Sequence, residues 1–86
     1  MTRVSHVIAV SCLLQASLAQ ADDSASAEAL FREGRTLIKQ GKVNAGCDKL
    51  EASEKLETSV GTLLNLGDCR EKQGRFATAW AAFRKA

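Results

Sequence analysis

Slid along itself until Leu30 meets Leu63, this 86-residue chain matches its own second half. In that register Lys39-Gln40-Gly41-Lys42 returns as Lys72-Gln73-Gly74-Arg75, and Gly34 returns as Gly67. Leu, Gly and the Lys-Gln-Gly run are identical between the copies, more than twice what chance gives over a stretch this short; internal repetition is the first thing to look for in such a chain. Similar residues fill the intervals: Val43 answers Phe76, Gly46 answers Ala79, and Leu50 answers Phe83. A unit of this length cannot bury its own apolar face and does so by stacking on its copy.

Inside each unit the apolar period is helical. Leu30, Gly34, Leu37 and Ile38 form a stripe that runs to Gly41, a helix-stopping residue with Lys39 in the last turn. A second helix follows, with Asn44 expected as its N-cap and Val43, Cys47, Leu50 and Ser53 along one face, before Thr58 and Ser59 offer the next cap. The second unit repeats the plan with Leu63, Leu64, Leu66 and Gly67, the stop at Gly74, then Phe76, Ala79, Trp80 and Phe83. No strand-like alternation competes, so the expected class is all-α. A glycine inside a helix costs about 1 kcal/mol against alanine, so Gly34 and Gly67 imply close approach of a neighbouring helix.

The order of these residues resembles the tetratricopeptide repeat, a helix-turn-helix unit of about 34 residues. Leu66-Gly67, Gly74, Ala79, Phe83 and Ala86 carry the resemblance in the second unit, and Gly34, Gly41, Gly46, Leu50 and Ser53 in the first. Arg70 departs from it, standing where an aromatic is usual, as does Glu33 in the place of a leucine. The pattern is similar to that of exported bacterial members with one cysteine in the first unit's second helix and another in the next helix. The resemblance implies a right-handed helical solenoid segment, with unit one over 27–59 and an incomplete unit two over 60–86. It also implies a role in holding a protein or peptide partner on the concave side. Matching positions on that side are Phe31, Arg32, Arg35, Ile38 and Lys39 in the first unit. In the second they are Leu64, Asn65, Asp68, Glu71 and Lys72. The first set is basic and apolar and the second mixed in sign, so the complementary ligand is a peptide with an acidic end over unit one.

Phe76, Trp80 and Phe83 lie at helical spacing and read as core or as an interface. About three stacked units are normally required for stability, so the expectation is a piece of a longer repeat protein. The alternative is a short protein that covers Phe76, Trp80 and Phe83 by dimerising or by docking on an envelope assembly.

The segment from Met1 to Ala21 differs from the rest. Arg3 is its only charged side chain, Val7 to Leu14 is apolar except for Ser11, and Ala19-Gln20-Ala21 supplies small residues in an A-x-A pattern. These are the three parts of a secretory signal, with cleavage expected between Ala21 and Asp22; a cut after Ala19 fits nearly as well. The apolar run is well short of the roughly 20 residues of a membrane span. Cys12 follows Ala9-Val10-Ser11, but it lies early and more apolar residues follow it, which argues against lipid anchoring. The expected location is therefore periplasmic or secreted, with 22–26 as a lead-in to the first unit.

Removing the leader takes away Arg3, Cys12 and the single histidine, His6, and lowers the formal net charge from +2 to +1. That balance offers no nucleic-acid surface, which calls for clustered Lys/Arg. Serines 24, 26, 53 and 59 then have no histidine base, and two cysteines without histidine do not make a usual zinc ligand set. No catalysis, metal or cofactor is expected. Cys47 and Cys69 remain as an even pair in an oxidising compartment, read as a disulfide, with two buried free thiols as the alternative. Glu51, Glu54 and Glu57 read as a solvated helix face beside Lys49 and Lys55.

Overall fold

The computed structural model of the protein describes residues 22–86, and within them the chain is helical with no strand. The described part of α1 covers 22–39; α2 is Val43–Leu56, α3 Val60–Lys72 and α4 Phe76–Lys85. Residues 22–26, read as a lead-in, are helical and continuous with α1. The secretory signal and Cys12 lie in 1–21, outside the described residues, as does Ala21 of the expected cleavage position.

Both copies of the Lys-Gln-Gly motif make the same turn. Gly41 and Gly74 take positive φ, at +81° and +75°, a region open to glycine at no steric cost. Around the first, Lys42 N–H donates to Leu37 O at 2.9 Å and Gly41 N–H to Ile38 O at 3.0 Å. Around the second, Arg75 N–H donates to Arg70 O at 2.9 Å and Gly74 N–H to Glu71 O at 2.8 Å. This paired closure is the Schellman motif, which satisfies the last carbonyls of a helix. The repeated motif therefore makes a repeated chain reversal, after which α2 and α4 start at once. Lys42, rather than Asn44, occupies the α2 N-cap and makes no side-chain cap bond. Asn44 sits inside the helix because the Schellman turn sets its start, and its Oδ1 instead accepts from Gln73 Nε2, at the end of α3, at 2.8 Å. Ser59 caps α3 as expected, its Oγ accepting from Thr62 N–H at 3.1 Å.

Within each pair the helices close on glycine. A Cβ on Gly46 would stand 2.6 Å from Ile38 Cγ1 and 2.9 Å from Gly34 O, and a Cβ on Gly34 would stand 2.9 Å from Leu50 Cγ. The backbones of α1 and α2 thus meet at Gly34 and Gly46, with Leu50 fully buried beside them. In the second pair a Cβ on Gly67 would collide with the Phe83 ring. Phe83 does for α3 and α4 what Leu50, its counterpart in the first unit, does for α1 and α2.

The pairs join through a disulfide. Cys47 on α2 is bonded to Cys69 on α3, with a Cα–Cα distance of 5.7 Å, and both residues have no solvent exposure. Together with Leu50 they form the core cluster, against which Phe31, Ile38, Val43 and Leu66 pack. Ser53 closes one end: buried, it donates to Ala27 O at 2.7 Å, tying α2 to the start of α1.

Gly46→Ala should lower stability by about 1–3 kcal/mol, because the added methyl has only backbone and Ile38 to displace. Gly61→Ala, where a Cβ meets nothing within 4 Å, should be neutral or stabilising by up to about 1 kcal/mol; urea denaturation of the two variants reads the contrast. Replacing both cysteines with serine opens a bond across a sequence separation of 22 and should cost about 3 kcal/mol in the same assay.

Candidate functional site

A groove of about 180 Å³ runs between α1 and α3, lined by Arg35, Ile38 and Lys39 on one side and Asn65, Asp68 and Lys72 on the other. These six belong to the set expected on the concave side, and helical spacing explains why they meet. Gly34 and Gly67 turn inward to their partner helices, so the positions one and five residues on in both helices point into the space between α1 and α3, joined by Ile38 four residues after Gly34 and by Asn65 two residues before Gly67. Ile38 anchors the floor by packing on the disulfide cluster. Asn65 Nδ2 donates to Gly61 O at 2.8 Å, which fixes the amide on α3. Arg35 is held over the Phe31 ring, 5.7 Å from its centroid, a cation–π arrangement that positions the guanidinium without neutralising it.

Arg35, Lys39 and Lys72 against Asp68 alone give the groove a net positive field, and among the described residues none of the four enters a salt bridge. That favours an anionic ligand segment. The other expected positions stand apart. Phe31 lies beneath Arg35 and Leu64 is exposed on α3, while Glu71 is exposed and does not line the groove. Arg32 Nε donates to Glu28 at 3.1 Å, and the residue borders a second groove, between α1 and α2.

The aromatic residues divide. Phe83 is half-buried on Gly67, but Phe76 is 69% exposed and Trp80 64%. Of the three, only Phe83 has the packing expected of core. The reason is geometric: α4 turns Ala79 and Phe83 toward α3, which leaves Phe76 and Trp80 on its outer side.

Arg70 is the residue that sequence reasoning missed. It is 5% exposed, with Nη2 2.6 Å from Glu51 Oε2 and Nη1 3.0 Å from Gln73 Oε1, while buried Nε has no hydrogen-bond partner. A buried guanidinium needs a carboxylate partner, and Glu51 supplies one from α2. The only sequence signal was Arg70 standing in an aromatic position, with the acids Glu51 and Glu54 on the helix before it. That acidic row is more than a solvated face: Glu51 holds α3, and Glu54 holds α4 through Lys85 Nζ at 2.7 Å. Lys49 pairs with Glu33 of α1 at 3.2 Å and Lys55 with Glu51 at 3.5 Å.

Hydrogen bonds from Lys85 and from the Thr58 hydroxyl hold the Glu54 carboxyl below the usual carboxylate range. A depressed folded-state pKa contributes stability that is fully present above the unfolded value, about 4.3 for glutamate, and lost as pH falls through the folded value. Glu54→Gln should therefore be less stable than the native chain at neutral pH, and the two denaturation curves should converge as pH falls below about 4.

Among the described residues no group of three or more His, Cys, Asp or Glu side chains is placed to hold a metal ion, and no helix is long and apolar enough to cross a membrane. In comparisons with known proteins, no family model, no curated protein and no solved structure matches this chain.

Proposed function

We propose that the protein is an exported, non-catalytic interaction module of tetratricopeptide type, whose α1–α3 groove holds an extended peptide by an acidic portion. The observation that carries this reading is the groove itself. Six residues chosen on the resemblance line one cleft, and its cations are free of intramolecular carboxylates among the described residues. The two equivalent Schellman turns and the glycine-based pairing at matching positions of the two copies support a right-handed stack of two units. The buried disulfide supports an oxidising compartment, periplasmic or extracellular.

Arg35 and Lys39 act as the anchor for the acidic end, with Asn65 available to the peptide backbone and Ile38 as an apolar floor. Selection from a random peptide library on the immobilised protein should enrich sequences with Asp or Glu clustered at one end. Binding of a selected peptide should fall at least tenfold in Arg35→Glu/Lys39→Glu and weaken with added salt. Enrichment without acidic bias, or binding indifferent to both substitutions, would remove the reading.

A second reading, an assembly module docking through the outer face of α4, is favoured by the exposure of Phe76 and Trp80. Exposed aromatic residues of this size, adjacent on one helix face, are the usual mark of a contact surface.

A further inference from the structure

Each unit uses two kinds of helix contact. Within a unit, the second helix drops a large side chain on a glycine of the first, and both units satisfy this contact: Leu50 at Gly34 and Phe83 at Gly67. Between units, Val43, Cys47 and Glu51 of α2 meet Leu66, Cys69 and Arg70 of α3. The repeat register that aligns Leu50 with Phe83 carries the first trio to Phe76, Trp80 and Arg84 on α4, and the second trio to Glu33, Thr36 and Leu37 on α1. Among the described residues both of these equivalent surfaces are open. Phe76, Trp80 and Arg84 are exposed, as are Glu33 and Thr36, and Leu37 is half-buried. The α1 surface belongs to the α1–α2 groove of about 490 Å³, which Gln40 and Lys49 also border.

We propose that the protein assembles head to tail with a second copy of itself, the outer face of α4 seated in the α1–α2 groove of the next copy. The side chains at equivalent positions fit. Trp80, large, comes opposite Thr36, small, where the chain itself sets Cys47 against Cys69. Leu37 provides apolar surface where Arg70 stands in the internal contact. The ion pair exchanges its signs and moves by about one helical turn: Glu51 before the junction meets Arg70 after it, whereas Arg84, at the Glu51 position, has its carboxylate at Glu33, which takes the place of Leu66, one turn from the Arg70 equivalent Leu37. Glu33 already accepts from Lys49 at 3.2 Å on an exposed edge, and a carboxylate has lone pairs for a second cation. The contact is heterologous, so the assembly grows as an open stack unless its rotation closes a ring. This proposal rests on the second reading above, that α4 is a docking face, and is independent of the α1–α3 groove.

Two single-face variants test it by sedimentation velocity. Trp80→Glu removes the α4 face and Thr36→Arg removes the α1 face; both positions are exposed, and circular dichroism checks that the helices persist. The native protein should self-associate with rising concentration, and each variant alone should remain monomeric. Their equimolar mixture should form a discrete dimer, since it contains one intact α4 face and one intact α1 face. Association should weaken at least tenfold in Arg84→Glu and return in Glu33→Arg/Arg84→Glu. If Thr36→Arg alone still dimerises while Trp80→Glu does not, α4 pairs symmetrically, and the head-to-tail contact is wrong although α4 remains a docking face. A native protein that stays monomeric at millimolar concentration would overturn this inference, and unchanged exposure of Trp80 with every added partner protein would overturn the second reading as well.

Discussion

The fold depends on how closely two backbones can approach at Gly34 and Gly46. With no side chain between them, α1 and α2 bring the Gly34 carbonyl to 2.9 Å from where a Gly46 Cβ would lie, and this closeness lets Leu50 and Cys47 reach zero exposure in a very small core. Buried Cys47 then fixes α3 through Cys69, and α3 fixes α4 through Gly67 and Phe83. A domain of this size buries too little apolar area to be secure on packing alone. Glycine-mediated contact and the covalent bridge supply between them what a larger core would supply by volume.

The helices and their turns were legible because their signals are local. Glycine at the stop positions, the Lys-Gln-Gly repetition and Ser59 before α3 each specify a backbone conformation within a few residues. The disulfide was legible from the even cysteine pair that the described residues carry, Cys47 and Cys69. Side-chain partners across helices were less so. Glu51 and Glu54 looked like a solvated face because their partners, Arg70 and Lys85, lie 19 and 31 residues away, and no spacing rule within one helix reaches that far. Asn44 failed as a cap for a related reason: the preceding Schellman turn, not residue preference, set where α2 begins.

The groove was legible in part, for the same physical reason. Positions matched to the repeat resemblance named ten residues for this side, of which Arg35, Ile38, Lys39, Asn65, Asp68 and Lys72 line the space between α1 and α3. Arg32 was assigned to that side by matching its position to the repeat resemblance. Its long side chain instead turns along its own helix to Glu28. Flexible side chains at the border of two faces follow the nearest charge, which register alone does not determine.

Among the described helices α2 packs on α1 and on α3, and α3 packs on α4, with Phe31 and Ile38 of α1 also reaching the disulfide cluster. Resistance to local opening should therefore be graded along the chain. Amide protons of α2 and α3, held on two sides and cross-linked to each other, should exchange with solvent slowest, and those of α4, supported on one side, should exchange first. Because neighbouring helices are close in sequence and the chain has no proline, collapse after oxidation involves short loops and no slow prolyl isomerisation. Within the described helices, α4 can thus fray and re-form while the cross-linked α2–α3 pair stays folded.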